Sequence, residues 1–256
     1  MIRFNMCPQL ALWSFAVLFA IGLVVVFGVQ LGVDGIARDK GTFARAKEEF
    51  LPIELKGTFT GALSNDNTKI KQSHQLYRPL TALIVHQSFF HILSTIFMLV
   101  IWTSYFEIYM GSYRTPIVFV LSGMIGHLAS FAFDGPAATA MGAAAGLFGI
   151  IGAMIGYIIL NWNNMNYAAS PRLILVLYVV LILLITALLT SRFSQNSASL
   201  FGVIAGVFIG CFLSTRHVSP EGMPPDITTH EKTTQAIGIS ATVVLGGTFL
   251  IIALTR

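Results

Sequence analysis

Apolar residues in this chain come in long blocks, separated by short polar stretches and one polar loop of about 48 residues. Seven blocks approach the ~20 residues an apolar helix needs to cross a bilayer. They cover residues 10–31, 80–102, 116–133, 143–160, 173–190, 199–213 and 237–254. The third, fourth and sixth are near or below that length, so tilt or immersion in protein is expected there. The pattern predicts an all-α polytopic membrane protein, one membrane domain over residues 1–256. No soluble module is separable from it.

Within the loop at 32–79, Phe43, Ala46 and Phe50 recur at helical spacing among Arg45, Lys47, Glu48 and Glu49, with Pro52 following. This predicts a short amphipathic helix, lying in the membrane interface or packed on the protein itself. Glycine concentrates in two spans: Gly146, Gly149, Gly152 and Gly156 in the fourth, and Gly202, Gly206 and Gly210 in the sixth. Glycines three or four apart form a smooth stripe along which two backbones approach closely, so these helices are expected to touch. The fifth span has no glycine and little polarity. It is expected at the lipid-facing edge.

Composition agrees: 55% of residues are hydrophobic and 10% charged. A formal charge of +4 is too small and too spread out to imply nucleic acid. The first loop holds eight of the fifteen Lys and Arg but also six carboxylates, while Arg3, Arg114, Arg172, Arg216 and Lys232 fall on the other side. Charge therefore does not orient the chain. Cys7 and Cys211 form no disulfide framework, Cys211 reading as a small apolar residue and Cys7 as a site open to acylation. The first span lacks a small-residue cleavage site and reads as a retained helix, not a signal peptide. No Asn-x-Ser/Thr sequon occurs.

Ionisable side chains at bilayer depth are costly and usually mark a functional cavity. His86 and His91 lie inside the second apolar block, with Thr95 one helical turn beyond His91. Around them run Tyr77-Arg78 and Thr81, then Glu107, Gly111, Ser112 and Arg114, then Ser122-Gly123, Gly126, Leu128 and Ser130. In order and spacing this resembles the rhomboid family of intramembrane serine proteases, over roughly residues 77–210. The resemblance implies a six-helix core, residues 77–214 here, to which 236–254 adds a C-terminal transmembrane helix.

What the resemblance implies for the site is a departure. The family carries its nucleophile in Gly-x-Ser-Gly-Ala-x-Phe-Gly and its base in Ala-His-x-x-Gly-x-x-x-Gly. Here the first reads Gly142-Ala143-Ala144-Ala145-Gly146-Leu147-Phe148-Gly149, and the second reads Ala198-Ser199-Leu200-Phe201-Gly202, followed by Gly206. Ala144 stands at the serine and Ser199 at the histidine. Tyr77-Arg78 stand for the family's Trp-Arg pair. His86 and His91 match the oxyanion region, Thr95 taking the place of its Asn, and Glu107 the acid that fixes a helix end.

A serine protease needs an oxygen nucleophile and a base within hydrogen-bond reach of it. Loss of either costs on the order of 10⁶ in turnover, and losing both adds little. The expectation is a catalytically inactive rhomboid that recognises or escorts membrane proteins, in folding control, trafficking, degradation or translocation, as iRhoms and derlins do. Against iRhoms, the 256 residues are expected to hold no large soluble domain. Its partners would be transmembrane helices of client proteins, admitted near the fifth span, and the lipid bilayer. The compartment would be the endoplasmic reticulum or another secretory membrane.

Two alternatives belong to other classes. One is a non-catalytic subunit of a larger membrane complex, such as a protein translocase of the mitochondrial inner membrane. The other is an active protease with a relocated dyad, Ser199 acting with His86 or His91. His127 is expected to serve packing or hydrogen bonding between helices, and His74, His217 and His230 to be solvated loop residues. No metal or cofactor is expected: His86 and His91, five apart on one helix, would point about 140° from each other.

Overall fold

The computed structural model describes residues 14–36, 57–135, 137–162, 169–190, 196–215 and 227–255. The expected helix around Phe43, Ala46 and Phe50, with Cys7 and His217, lies outside these residues. The described chain is mostly helical. Its elements are α1 (Phe15–Ile36), α2 (Thr58–Leu63), β1 (Asn65–Asp66), α3 (Asn67–Ser73), α4 (Arg78–Thr81), α5 (Phe89–Met110), α6 (Arg114–Phe133), β2 (Thr139–Ala140), α7 (Ala144–Leu160), α8 (Ala169–Thr190), α9 (Asn196–Leu213) and α10 (Thr229–Thr255). By length and composition four can cross a membrane: α1, α5, α6 and α10. Three shorter apolar helices pack with them, within α7, α8 and α9.

The core is built on backbone contact between α7 and α9. A Cβ on Gly202 would overlap the Ala145 carbonyl, one on Gly206 the Gly149 carbonyl, and one on Gly210 would stand 2.5 Å from the Ala153 carbonyl oxygen. Partners therefore advance in step along both helices, which run parallel in a constant register. Helix α6 closes the third side. Gly149 leaves room for the Ser122 hydroxyl, and Gly146 for the Phe119 ring. In lipid, where apolar burial drives helices together only weakly, such close packing is the main adhesive.

The second span differs from the expected 80–102. Pro79 belongs to the one-turn helix α4, residues 82–88 are irregular, and α5 begins only at Phe89, where the Ser88 side chain accepts from the His91 backbone N–H at 3.3 Å. His86 thus precedes the helix. Leu99–Thr103 form a π-turn inside α5. Glu107 consequently sits in the last turn of α5 and not beyond it, and Gly111 ends the helix with φ 83°. The carboxylate there accepts from the Ala16 backbone N–H of α1 (2.9 Å) and from the Ser112 hydroxyl (3.1 Å), joining the N-terminal end of α1 to the C-terminal end of α5.

Helix α8 is held differently. Its inward residues include Leu175, Val179 and Thr186, while Leu177, Leu181, Leu184 and Leu188 are exposed. Towards α5 its side-chain contacts include Tyr178 against Tyr105 and Trp102, with ring centroids 4.7 and 6.0 Å apart, and Thr186 Oγ1 3.7 Å from Met98 Sδ. Helix α10 starts earlier than the expected 237. Thr228 and Glu231 form a capping box, and His230, expected in a loop, is in the first turn with Nε2 3.0 Å from the Ile159 carbonyl. Farther along, Gly238 approaches the Phe208 backbone, and Phe249 joins Phe133 and Phe201.

Candidate functional site

The N-terminal ends of α7 and α9 meet a knot of loops, and the sequence explains how. Asn65 and Asp66 pair antiparallel with Ala140 and Thr139. The Asn65 amide donates to the His127 carbonyl at 3.0 Å. Buried Arg78 donates to the Gly61 and Ser64 carbonyls at 3.0 and 2.7 Å and to Gln75, while neighbouring Tyr77 stays half-exposed. The loop before α5 is thereby fixed against the turn before α7. That turn needs glycine: Gly142 has φ 107°, and a Cβ there would stand 2.5 Å from His91 Nε2.

Three histidines surround this turn. The Gly142 N–H donates to the Ala82 carbonyl at 2.8 Å. The Gly142 carbonyl faces His127 Nε2 at 3.3 Å; a carbonyl only accepts, so His127 carries its proton on Nε2. His91, in the first turn of α5, lies over Gly142, and its Nδ1 accepts a long 3.4 Å contact from the Gln87 N–H. The His86 ring packs against the His91 ring, centroids 4.9 Å apart at 67°. His86 is fully buried with no well-formed hydrogen bond to either ring nitrogen, the Ile84 backbone being the polar group facing it. One turn along α5, the Thr95 hydroxyl is also buried without a partner.

His86 and His91 therefore do not point about 140° apart as residues on one continuous helix would, because the break at 82–88 folds His86 back onto His91. Among the described residues no group of three or more His, Cys, Asp or Glu converges as a metal site.

Ala144, the first residue of α7, is buried and presents a methyl group; Ser199, in the first turns of α9, is partly buried. The register that sets Ala145 against Gly202 brings Ser199 level with Ala144 to within about two residues, roughly 3 Å of helical rise. Gly126 of α6 lies between their neighbours, close to the Ala198 carbonyl and the Ala145 methyl. Of the other motif positions, Gly149, Gly202 and Gly206 form the α7–α9 contact, Gly111 ends α5, and Tyr77, Arg78 and Glu107 hold loops and helix ends. The α7–α9 register puts Ala144 and Ser199 at the same end of the helix pair, and the loops before α5 and α7 bring His86, His91 and His127 together around Gly142.

A rhomboid-domain family model matches residues 73–216. The chain belongs to the rhomboid family. Among its relatives, Inactive rhomboid protein 1 of Drosophila melanogaster is 29% identical over 145 residues, covering 57% of this chain and 10% of that protein. Inactive RHOMBOID-like protein 8 of Arabidopsis thaliana is 26% identical over 205 residues (73% of this chain, 55% of that protein). Rhomboid-like protease 3 of Toxoplasma gondii is 30% identical over 139 residues (54% and 52%). The chain spans between a tenth and about half the length of these relatives. Since both inactive proteins and a protease are among them, the chemistry of this rhomboid has to be argued from its own side chains.

Sequence reasoning missed Gln30 and Asp34. Both are buried polar residues one turn apart in the otherwise apolar α1. Their spacing within a membrane span was the available signal.

Proposed function

We propose that this protein is a rhomboid pseudoprotease: it binds transmembrane segments of client membrane proteins and does not cleave them. The side chains at the two dyad positions carry the reading: Ala144 and Ser199 offer a methyl and a hydroxyl, at the same end of α7 and α9, where the family's chemistry needs a hydroxyl and an imidazole. No carbonyl attack starts from Ala144. The buried imidazoles and the Thr95 hydroxyl remain as groups able to hold a polar backbone, which an unwound client helix would offer. The contrast between α8, which meets α5 through side chains such as Tyr178 and Thr186, and the glycine-lined backbone contact of α7 with α9 supports client entry beside α8. The membrane proposed is the endoplasmic reticulum or another secretory membrane.

The test is photo-crosslinking in cells from a photoreactive residue at Val179, on the inward face of α8, with exposed Leu181 as the lipid-facing control. Capture of single-span proteins from position 179, uncleaved, is the expected result. Capture of lipid alone, or labelling of Ser199 by a fluorophosphonate probe, would overturn the reading. Fixed stoichiometric partners in mild detergent would instead favour a subunit of a larger complex.

A further inference from the structure

The polar side chains of α1 are not placed at random within its apolar face. Gln30 is fully buried and its amide is wholly engaged with residues far away in sequence. Its Nε2 donates to the His86 carbonyl at 2.6 Å and to the Thr60 hydroxyl at 2.7 Å, and its Oε1 accepts from the His86 N–H at 3.2 Å. The side-chain amide thus pairs with both backbone groups of His86, as a neighbouring β-strand would. One turn on, the Asp34 carboxylate accepts from the Phe59 N–H (2.8 Å), the Thr60 N–H (2.9 Å) and the Thr60 hydroxyl. Thr60 is thereby fixed as the second anchor of Gln30.

The held segment is tied at its two ends and bridged by Gln30 near its middle. The Ala82, Leu83 and Ile84 N–H groups donate to the Arg78, Leu80 and Thr81 carbonyls and Ser88 caps α5, whereas the His86 backbone is met by Gln30 and the His86 ring contributes no well-formed hydrogen bond of its own. A segment with unsatisfied polar groups in a buried setting moves unless something outside it fixes its backbone.

We propose that Gln30 is the positioning residue of the site: through the His86 backbone, α1 determines where the His86 ring lies against His91, and Asp34 fixes the Thr60 anchor that keeps Gln30 in place. The geometry of the histidine pair then depends on how α1 is seated. The positional role stands independently of any client; its effect on client capture rests on the pseudoprotease reading.

The experiment is hydrogen exchange by mass spectrometry on the full chain in detergent, comparing wild type, Gln30→Met and Gln30→Glu. In Gln30→Met the segment 82–88 should exchange at least tenfold faster, with α7 and α9 unchanged. Gln30→Glu keeps the acceptor and, when neutral, a donor; measured against wild type at each pH, it should protect the segment at pH 5 and lose protection at pH 8. Unchanged exchange of 82–88 in a folded Gln30→Met protein overturns the proposal. So does a uniform rise across all helices in both variants, which would mark Gln30 as a general stabiliser. Crosslinking from position 179 is read in parallel. Wild-type capture lost in Gln30→Met supports the coupling to client binding, and capture retained despite a loosened segment overturns it. No capture by wild type overturns the function above and leaves the exchange result to decide on Gln30.

Discussion

Gly206 of α9 lies directly over the Gly149 carbonyl of α7, so close that a Cβ at position 206 would overlap the oxygen. The obstacle is backbone, which cannot rotate away as a side chain would. Gly206→Ala should therefore push the helices apart and cost about 1–3 kcal/mol, the usual range for overpacking. Gly247, in α10, has nothing within 4 Å of its virtual Cβ. Gly247→Ala should leave thermal stability in detergent unchanged or slightly raised, and equal losses for the two variants would show that glycine is not acting through this contact.

A second glycine is required for another reason. Gly142 combines a φ of 107° with the His91 ring beside it. Gly142→Ala meets both a backbone penalty, of order 1–2 kcal/mol for an L-residue in a left-handed region, and a clash with the imidazole. The expected outcome is a lower melting temperature together with displacement of the His91 resonance in imidazole ¹⁵N spectra. Thr139, at the far end of the same turn, is exposed, and Thr139→Ala should leave that resonance in place.

The apolar helices and the α7–α9 contact are legible in the sequence because apolar run length and glycine spacing report on helix formation in lipid and on backbone approach, although only four of the described helices are long enough to cross a membrane. The position of His86 is not legible there. Hydropathy runs without interruption from Leu80 to Trp102, yet Pro79 and the Ser88 cap start the helix late. A hydropathy average does not see a cap. The π-turn at Leu99–Thr103 likewise has no periodic signature, and the apolar block ends at Trp102 although the helix continues through Glu107 to Met110. Gln30 and Asp34 were visible as polar intrusions in an apolar span, but their partners Thr60 and His86 are far away in sequence, and only the fold brings them together.

The capping box at the start of α10 gives a local prediction. The Thr228 hydroxyl accepts from the Glu231 N–H at 3.2 Å, and the Thr228 N–H donates to the Glu231 carboxylate at 2.7 Å. Thr228→Ala should cost about 0.5–2 kcal/mol, confined to the first turn: faster amide exchange over 229–232 and none at Phe249. Thr228→Ser, which keeps the hydroxyl, should restore protection.

Installing the family's dyad is the sharpest test of the pseudoprotease reading. Ala144→Ser alone supplies an oxygen with no base to take its proton, and Ser199→His alone supplies a base with nothing to activate. Because nucleophile and base act as one unit, each single variant should show no cleavage of a model transmembrane substrate. Ala145 is the third position to change: its methyl lies against Gly126 where α6, α7 and α9 converge, and the family's glycine there would free the turn carrying the nucleophile. Ala144→Ser, Ala145→Gly and Ser199→His together should yield cleavage at least 10²-fold above either single variant, with fluorophosphonate labelling at position 144. A folded triple variant that neither cleaves nor labels would mean that the pairing of α7 and α9 does not bring these side chains within hydrogen-bond reach.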